Sequence, residues 1–208
     1  MTYIWINPVT DRMYDSDVLN VFLCKHGYRR FDTSTDWLAV VKEKYRTVVE
    51  QSTNVVMDMR CPKTKELLDE LGVHSGVTFP DIKPILIHCG QDGSKQEELA
   101  EEEKVITTPC QSLADMGNAL GLHHTRFIPW RKFLESLGEY PEGILPKESP
   151  IPAGFFKELG IKTVSITGEE EIRAYFKNFV NDVGEKEVQL IEMIYCKDGC
   201  HNGDGIRA

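Results

Sequence analysis

Six cysteines are the residues of this chain best suited to chemistry: Cys24, Cys61, Cys89, Cys110, Cys196 and Cys200. The last two stand in YCKDGCHNGDG, residues 195–205, directly after a strongly apolar run. Three residues separate them, a spacing that in a turn can point both sulfurs at one centre. Thiolates bind soft metals, and four of them suit either an iron–sulfur cluster or tetrahedral zinc. Gly199, Gly203 and Gly205 let the backbone approach a bulky cluster and offer N–H groups to its sulfides. Pro62 and Pro109 each adjoin a cysteine and fix its local backbone.

The elements that must hold these thiols read as alternating strands and helices. NVVMDM (54–59) is a buried-strand pattern running into Arg60-Cys61-Pro62, with a helix over KTKELLDELGV. KPILIH (83–88) reads as a strand running into Cys89. EELAEEEK (97–104) reads as a solvated helix end, KVITT (104–108) as a strand running into Pro109-Cys110, and QSLADMGNALGL as a helix. IKTVSIT is a strand, GEEEIRAYFKNFVNDV a helix, and VQLIEMIY the strand that enters Cys196. Nearer the start, DSDVLNVFLCKHGY is an amphipathic helix capped by Ser16 and stopped at Gly27, with a stripe of Val18, Leu19, Phe22 and Leu23. Cys24 beside that stripe reads as a small buried residue. DWLAVVKEKYRTVVEQ is a second helix.

Such alternation predicts an α/β fold: a largely parallel sheet, or two lobes each with one, with helices on both faces. Ligands of such sheets bind outside the carboxyl ends of the strands, where Cys61, Cys89, Cys110 and Cys196 all fall in this reading. The segment YPEGILPKESPIPAG (140–154) is the expected linker. It divides an N-terminal lobe (1–139), carrying the first two cysteine motifs, from a C-terminal lobe (155–208), carrying the C-x3-C pair.

The 208 residues carry a formal net charge of −9, which argues against broad nucleic-acid binding. No apolar run approaches the roughly 20 residues that span a bilayer, and no basic-then-apolar leader opens the sequence. A cytoplasmic location and no membrane insertion are expected, and there cysteine clusters hold metal or do redox work more often than they form disulfides.

Three elements in order carry a family resemblance: Arg60-Cys61-Pro62, Thr108-Pro109-Cys110, and Glu192-Met193-Ile194-Tyr195-Cys196-x3-Cys200-x2-Gly203-x-Gly205. Their order and spacing resemble the catalytic domain of the iron-only (FeFe) hydrogenases, over about residues 160–206 and, more loosely, 54–120. The resemblance implies that Cys61, Cys110, Cys196 and Cys200 ligate a four-iron four-sulfur (4Fe-4S) cluster, with Arg60, Pro109, Gly199, Gly203 and Gly205 against it. In that family the counterpart of Cys200 also bridges to a two-iron unit. Here Arg60 replaces the proton-relay thiol, the lysine after the second element is absent, and Asp204 interrupts the triple glycine. The reading that follows is a single-cluster protein in electron transfer or redox sensing, an oxidoreductase relative with an unnamed redox partner. A structural zinc site, a metal-free interaction module and hydrogen chemistry itself stay open as alternatives. Cys89 is either an added redox thiol or an inert one. His201 either tunes the cluster or faces solvent, His123-His124 cap a helix end, and Trp37 and Trp130 anchor the core.

Overall fold

Local sequence sets the elements. The computed structural model describes residues 1–151, 153–177, 179 and 188–206. In chain order these form β1 (Thr2–Trp5), α1 (Pro8–Asp11), α2 (Ser16–Lys25), β2 (Tyr28–Arg30), α3 (Trp37–Gln51), β3 (Val55–Met57), α4 (Pro62–Glu70) and β4 (Val77–Thr78). There follow α5 (Ile85–Lys95), β5 (Lys104–Thr108), α6 (Gln111–Asn118), β6 (Thr125–Pro129), α7 (Trp130–Leu137), β7 (Thr163–Thr167), α8 (Glu169–Lys177) and β8 (Leu190–Ile194). Asp15, rather than Ser16, caps α2, its carboxylate accepting from the N–H groups of Asp17 and Val18. The helix expected over 168–183 is present as α8; its expected continuation over 178 and 180–183 lies outside the described residues.

The chain divides into two compact units, each built from separate stretches. One comprises Met1–Asp36, Leu86–Pro150 and Cys200–Ala208; the other comprises Trp37–Ile85 and Ile151–Gly199. Each holds a four-stranded sheet in which every pairing is parallel, ordered β2-β1-β5-β6 in the first and β4-β3-β8-β7 in the second. Every strand must therefore be joined by a crossover, which places helices on the sheet faces. The α/β reading with parallel sheets holds.

Strand alternation gives each sheet two cores. In the first unit Val105 packs with Ile4, Leu19, Leu23, Trp130 and Phe133, while the next residue, Ile106, packs with Phe31, Ile87, Leu113 and Phe127. In the second, Met57 and Ile191 join Leu67, Leu68, Ile172 and Phe176; their neighbours Val56 and Leu190 join Val41, Tyr45, Phe155 and Phe156. Trp130 is a core anchor as expected, 1% exposed.

Two expectations fail for packing reasons. KPILIH is not a strand: α5 runs through it and on through Cys89, Gly90 and Gly93. A Cβ on Gly90 would lie 2.3 Å from the Phe127 ring, and one on Gly93 2.5 Å from the Phe31 ring. These glycines let aromatic rings press on a helix; they do not end a strand. The acidic block is not an α-helix either. Only Glu97–Leu99 forms a 3-10 turn, and Lys104, fully buried in β5, ties the segment down by donating from Nζ to Leu99 O (2.6 Å) and Glu102 O (2.7 Å). Among the described residues no helix is long and apolar enough to cross a membrane.

Candidate metal centre

In the first unit Cys110 lies where β5 gives way to α6 and serves as that helix's N-cap without a side-chain cap bond of its own. Asp204 supplies the acceptor instead, its Oδ1 taking the Gln111 N–H at 2.9 Å. An anionic acceptor at a helix N-terminus is favourable, so Asp204, which interrupts the glycine run, has a structural use. The Cys200–Gly205 segment docks on the Pro109–Cys110 turn. Gly205 N–H donates to Pro109 O at 3.0 Å, Arg131 N–H donates to Gly205 O at 2.8 Å, and Gly203 N–H closes a turn onto Cys200 O at 3.0 Å. A Cβ on Gly203 would stand 2.3 Å from Pro109 O, and one on Gly205 2.9 Å from Cys110 N. Gly203 and Gly205 are thus required where two cysteine-bearing backbones touch, a use that the sequence had assigned to cluster approach.

In the second unit Cys61 is the N-cap of α4, after β3. Burial pushes its thiol pKa up, while backbone N–H groups of Tyr195, Thr64 and Lys63 directed at the sulfur oppose that rise. Tyr195 immediately precedes Cys196, so the end of β8 lies against the Cys61 sulfur. Past Cys196 the chain turns: Gly199 N–H donates to Cys196 O at 3.2 Å, with Asp198 at φ 61° and Gly199 at φ 116°. The conformation at Gly199 strains any side-chain-bearing residue, which explains this glycine.

Beside Cys61 sits an ionic group that sequence reasoning missed. Arg60 donates from Nε and Nη2 to Asp58 (3.0 and 2.7 Å) and from Nη2 to Glu192 (2.7 Å), with both carboxylates fully buried. Its guanidinium carbon lies 3.9 Å from the Phe155 ring centre and 4.6 Å from that of Phe156. Glu192 also accepts from Gly154 N–H (2.7 Å), Phe155 N–H (3.0 Å) and Ser165 Oγ (2.7 Å). Tyr45 donates to Asp58 at 3.2 Å and accepts from Met59 N–H at 2.7 Å. Burial works against the Arg60 charge, but Asp58 and then Glu192 outweigh it and raise its pKa. Two carboxylates thus engage the arginine expected to serve a cluster, and the three groups sum to −1. Nη1 alone among its nitrogens lacks a partner within the described residues. A clue was readable: VVMD and LIEMI each place a carboxylate in a buried strand run, and a buried charge requires a countercharge.

Cys89 lies inside α5, not at a strand end, and burial followed by the Asp92 charge pushes its thiol up to about 12. The inert alternative is therefore the one its surroundings favour. Cys24, expected to be buried, is exposed, as is Val18 beside it at 53%; Leu19 and Leu23 alone carry the buried stripe of α2. Iodoacetamide at pH 8 should label Cys24 in the native protein and Cys89 only after denaturation; equal native labelling would contradict this placement. The sign for stability follows: the raised Cys89 pKa costs nothing below the ordinary thiol range and destabilises the fold as pH climbs from about 9 toward 12. His123 and His124 are exposed, with His124 bonded to Glu103 at 2.6 Å. His201 does not face solvent; it is 4% exposed.

None of the six cysteines is in a disulfide. Among the described residues no three His, Cys, Asp or Glu side chains are grouped as a metal-binding set. The fold instead joins cysteine-bearing segments in pairs, Cys61 with Tyr195-Cys196 in one unit and Pro109-Cys110 with Cys200–Gly205 in the other. No protein-family model matches the chain, and no curated protein matches it.

Proposed function

We propose that this chain is a hydrogenase-like iron–sulfur protein that takes up one 4Fe-4S cluster on Cys61, Cys110, Cys196 and Cys200 and works in electron transfer or redox sensing without a two-iron unit. The observation that supports this most is the pairing of cysteine-bearing segments, one pair within each unit, at the ends of β3, β5 and β8. What supports the reading is that none of the four cysteines is in a disulfide, that backbone N–H groups are directed at the Cys61 sulfur, and that Arg60 Nη1 is buried without a partner among the described residues. When bound, such a cluster supplies reversible one-electron chemistry. The chain's own part is to hold and insulate. Pro62 and Pro109 fix the backbone on one side of a ligand, and Gly199 turns the chain between Cys196 and Cys200. The Asp58–Arg60–Glu192 group holds the strand ends that precede Cys61 and Cys196.

Zinc is the second reading, favoured by the same pairing, because tetrahedral zinc commonly collects thiolates as two pairs. The two separate on one preparation. Protein isolated without oxygen should be brown, with broad visible absorption and about four irons and four sulfides per chain. A colourless protein carrying one zinc, or no metal after anaerobic reconstitution with iron and sulfide, would overturn the cluster.

A further inference from the structure

The first unit contains a cavity of about 550 Å³, a size that suits a small organic ligand. Its lining runs from Trp130, Leu134 and Ile206, all buried, to Tyr140, which is 64% exposed. An apolar wall that ends in an uncovered aromatic ring leaves water against surface that a ligand ring would take.

The polar groups of the lining narrow the chemistry. Trp130 stacks on Phe133 with ring centres 5.3 Å apart, and its indole N–H donates to the Tyr14 hydroxyl at 3.1 Å. Tyr14 also packs on the chain at Gly143, where a Cβ would lie 2.4 Å from its ring. The hydroxyl thus accepts within the protein, while its own proton has no acceptor among the described residues. Burial raises the Tyr14 pKa, so the group stays a donor. A fixed O–H donor calls for an acceptor on the ligand. The charges in the lining cancel, because Arg131 Nε donates to Glu135 at 2.9 Å. An anion would meet Glu135 there and a cation would meet Arg131, whereas a neutral ligand leaves the pair in place.

We infer that this cavity binds a small neutral aromatic carbonyl compound, its ring between Tyr140 and the Trp130–Leu134 floor and its oxygen accepting from Tyr14. The site needs no metal and lies wholly within the first unit, so it stands or falls apart from the proposed cluster.

The test uses the full chain and three naphthalene probes: acetonaphthone, neutral with a carbonyl; ethylnaphthalene, neutral without an acceptor; and naphthoate, an anion. Binding is followed by NMR through the Trp130 indole N–H signal, assigned by exclusion from Trp5→Phe and Trp37→Phe. Acetonaphthone should shift that signal and bind about five- to tenfold tighter than ethylnaphthalene, the worth of one neutral hydrogen bond. Tyr14→Phe should erase that difference and leave ethylnaphthalene binding where it was. Tyr140→Ala, at an exposed position, should weaken both neutral probes by about fivefold through loss of the covering ring. No shift of the Trp130 signal by any probe, up to the limit of solubility, overturns the site. Equal binding of the two neutral probes, or a gap that survives Tyr14→Phe, overturns the carbonyl assignment. Tighter binding of naphthoate overturns the neutral one. Should Tyr14→Phe not fold, the ranking of the probes on wild type and on Tyr140→Ala still decides.

Discussion

Glu192→Ala should cost the protein about 3–5 kcal/mol, the range for removing one partner of a buried ion group. The loss has two parts. Arg60 keeps only Asp58 against a charge already buried under Phe155 and Phe156. The N–H groups of Gly154 and Phe155 and the hydroxyl of Ser165, all directed at this carboxylate, lose their acceptor in one step. Denaturant unfolding, with the midpoint shift converted through an unchanged slope, measures it. Glu192→Gln should fall between, because its amide oxygen can still accept from some of the donors while the charge is gone. A cost for the alanine variant below about 1 kcal/mol, the scale of an ordinary exposed pair, would mean that the group does not hold these strand ends together.

The largest expected effect on metal is that of Cys196→Ser combined with Cys200→Ser. Both thiols border one short turn, and together they supply half of the proposed donor set, one to each unit's pair. Iron after anaerobic reconstitution should fall from about four per chain to background. Cys24→Ser, on the exposed side of α2, should keep the full load. Serine preserves size, so circular dichroism matching wild type would assign the loss to ligation and not to unfolding. Stoichiometric iron in the double variant would remove the proposal.

The fold class was legible because β3, β5, β7 and β8 are β-branched or apolar runs of plain length, separated by helices with clear apolar stripes. Four features hid the rest. β2 and β4 are three and two residues long, too short to show a period, and gain their geometry from a longer neighbour. In α5 the apolar run KPILIH read as a strand, because Gly90 and Gly93, which make room for Phe127 and Phe31, weaken the helical pattern. Thr125–Pro129 ends in a proline, which obscures a strand, although here it leads straight into α7. The discontinuous units arise because β8 pairs with β3, far off in sequence, as well as with β7. At the candidate centre, cysteine types and spacing were plain, as was the place of Cys61, Cys110 and Cys196 after strands, whereas Cys89 lies inside α5. The partners of Arg60 were not, because a charge pair between residues 132 positions apart leaves only two buried carboxylates as a trace. Of the glycines in the last motif, Gly203 and Gly205 have a neighbour the motif did not reveal: the Pro109–Cys110 backbone lies in the space beside them.

The interior position of β8 in its sheet has a consequence for how the chain comes to exist. A ribosome delivers β3 and β4 early and β7 late, but no strand pairing joins them until Leu190–Ile194 has emerged, since β8 is the strand between β3 and β7. Long-range parallel pairing of this kind is slow and leaves apolar edges open while the chain waits. The same late segment brings Cys196 to Cys61 and Cys200 to Cys110. Nascent chain halted before residue 188 therefore has Cys61 and Cys110 without the segments that pack against them, and a split second sheet. The proposed metal loading would therefore wait for residues 188–206, and the half-built sheet stays open until they have emerged.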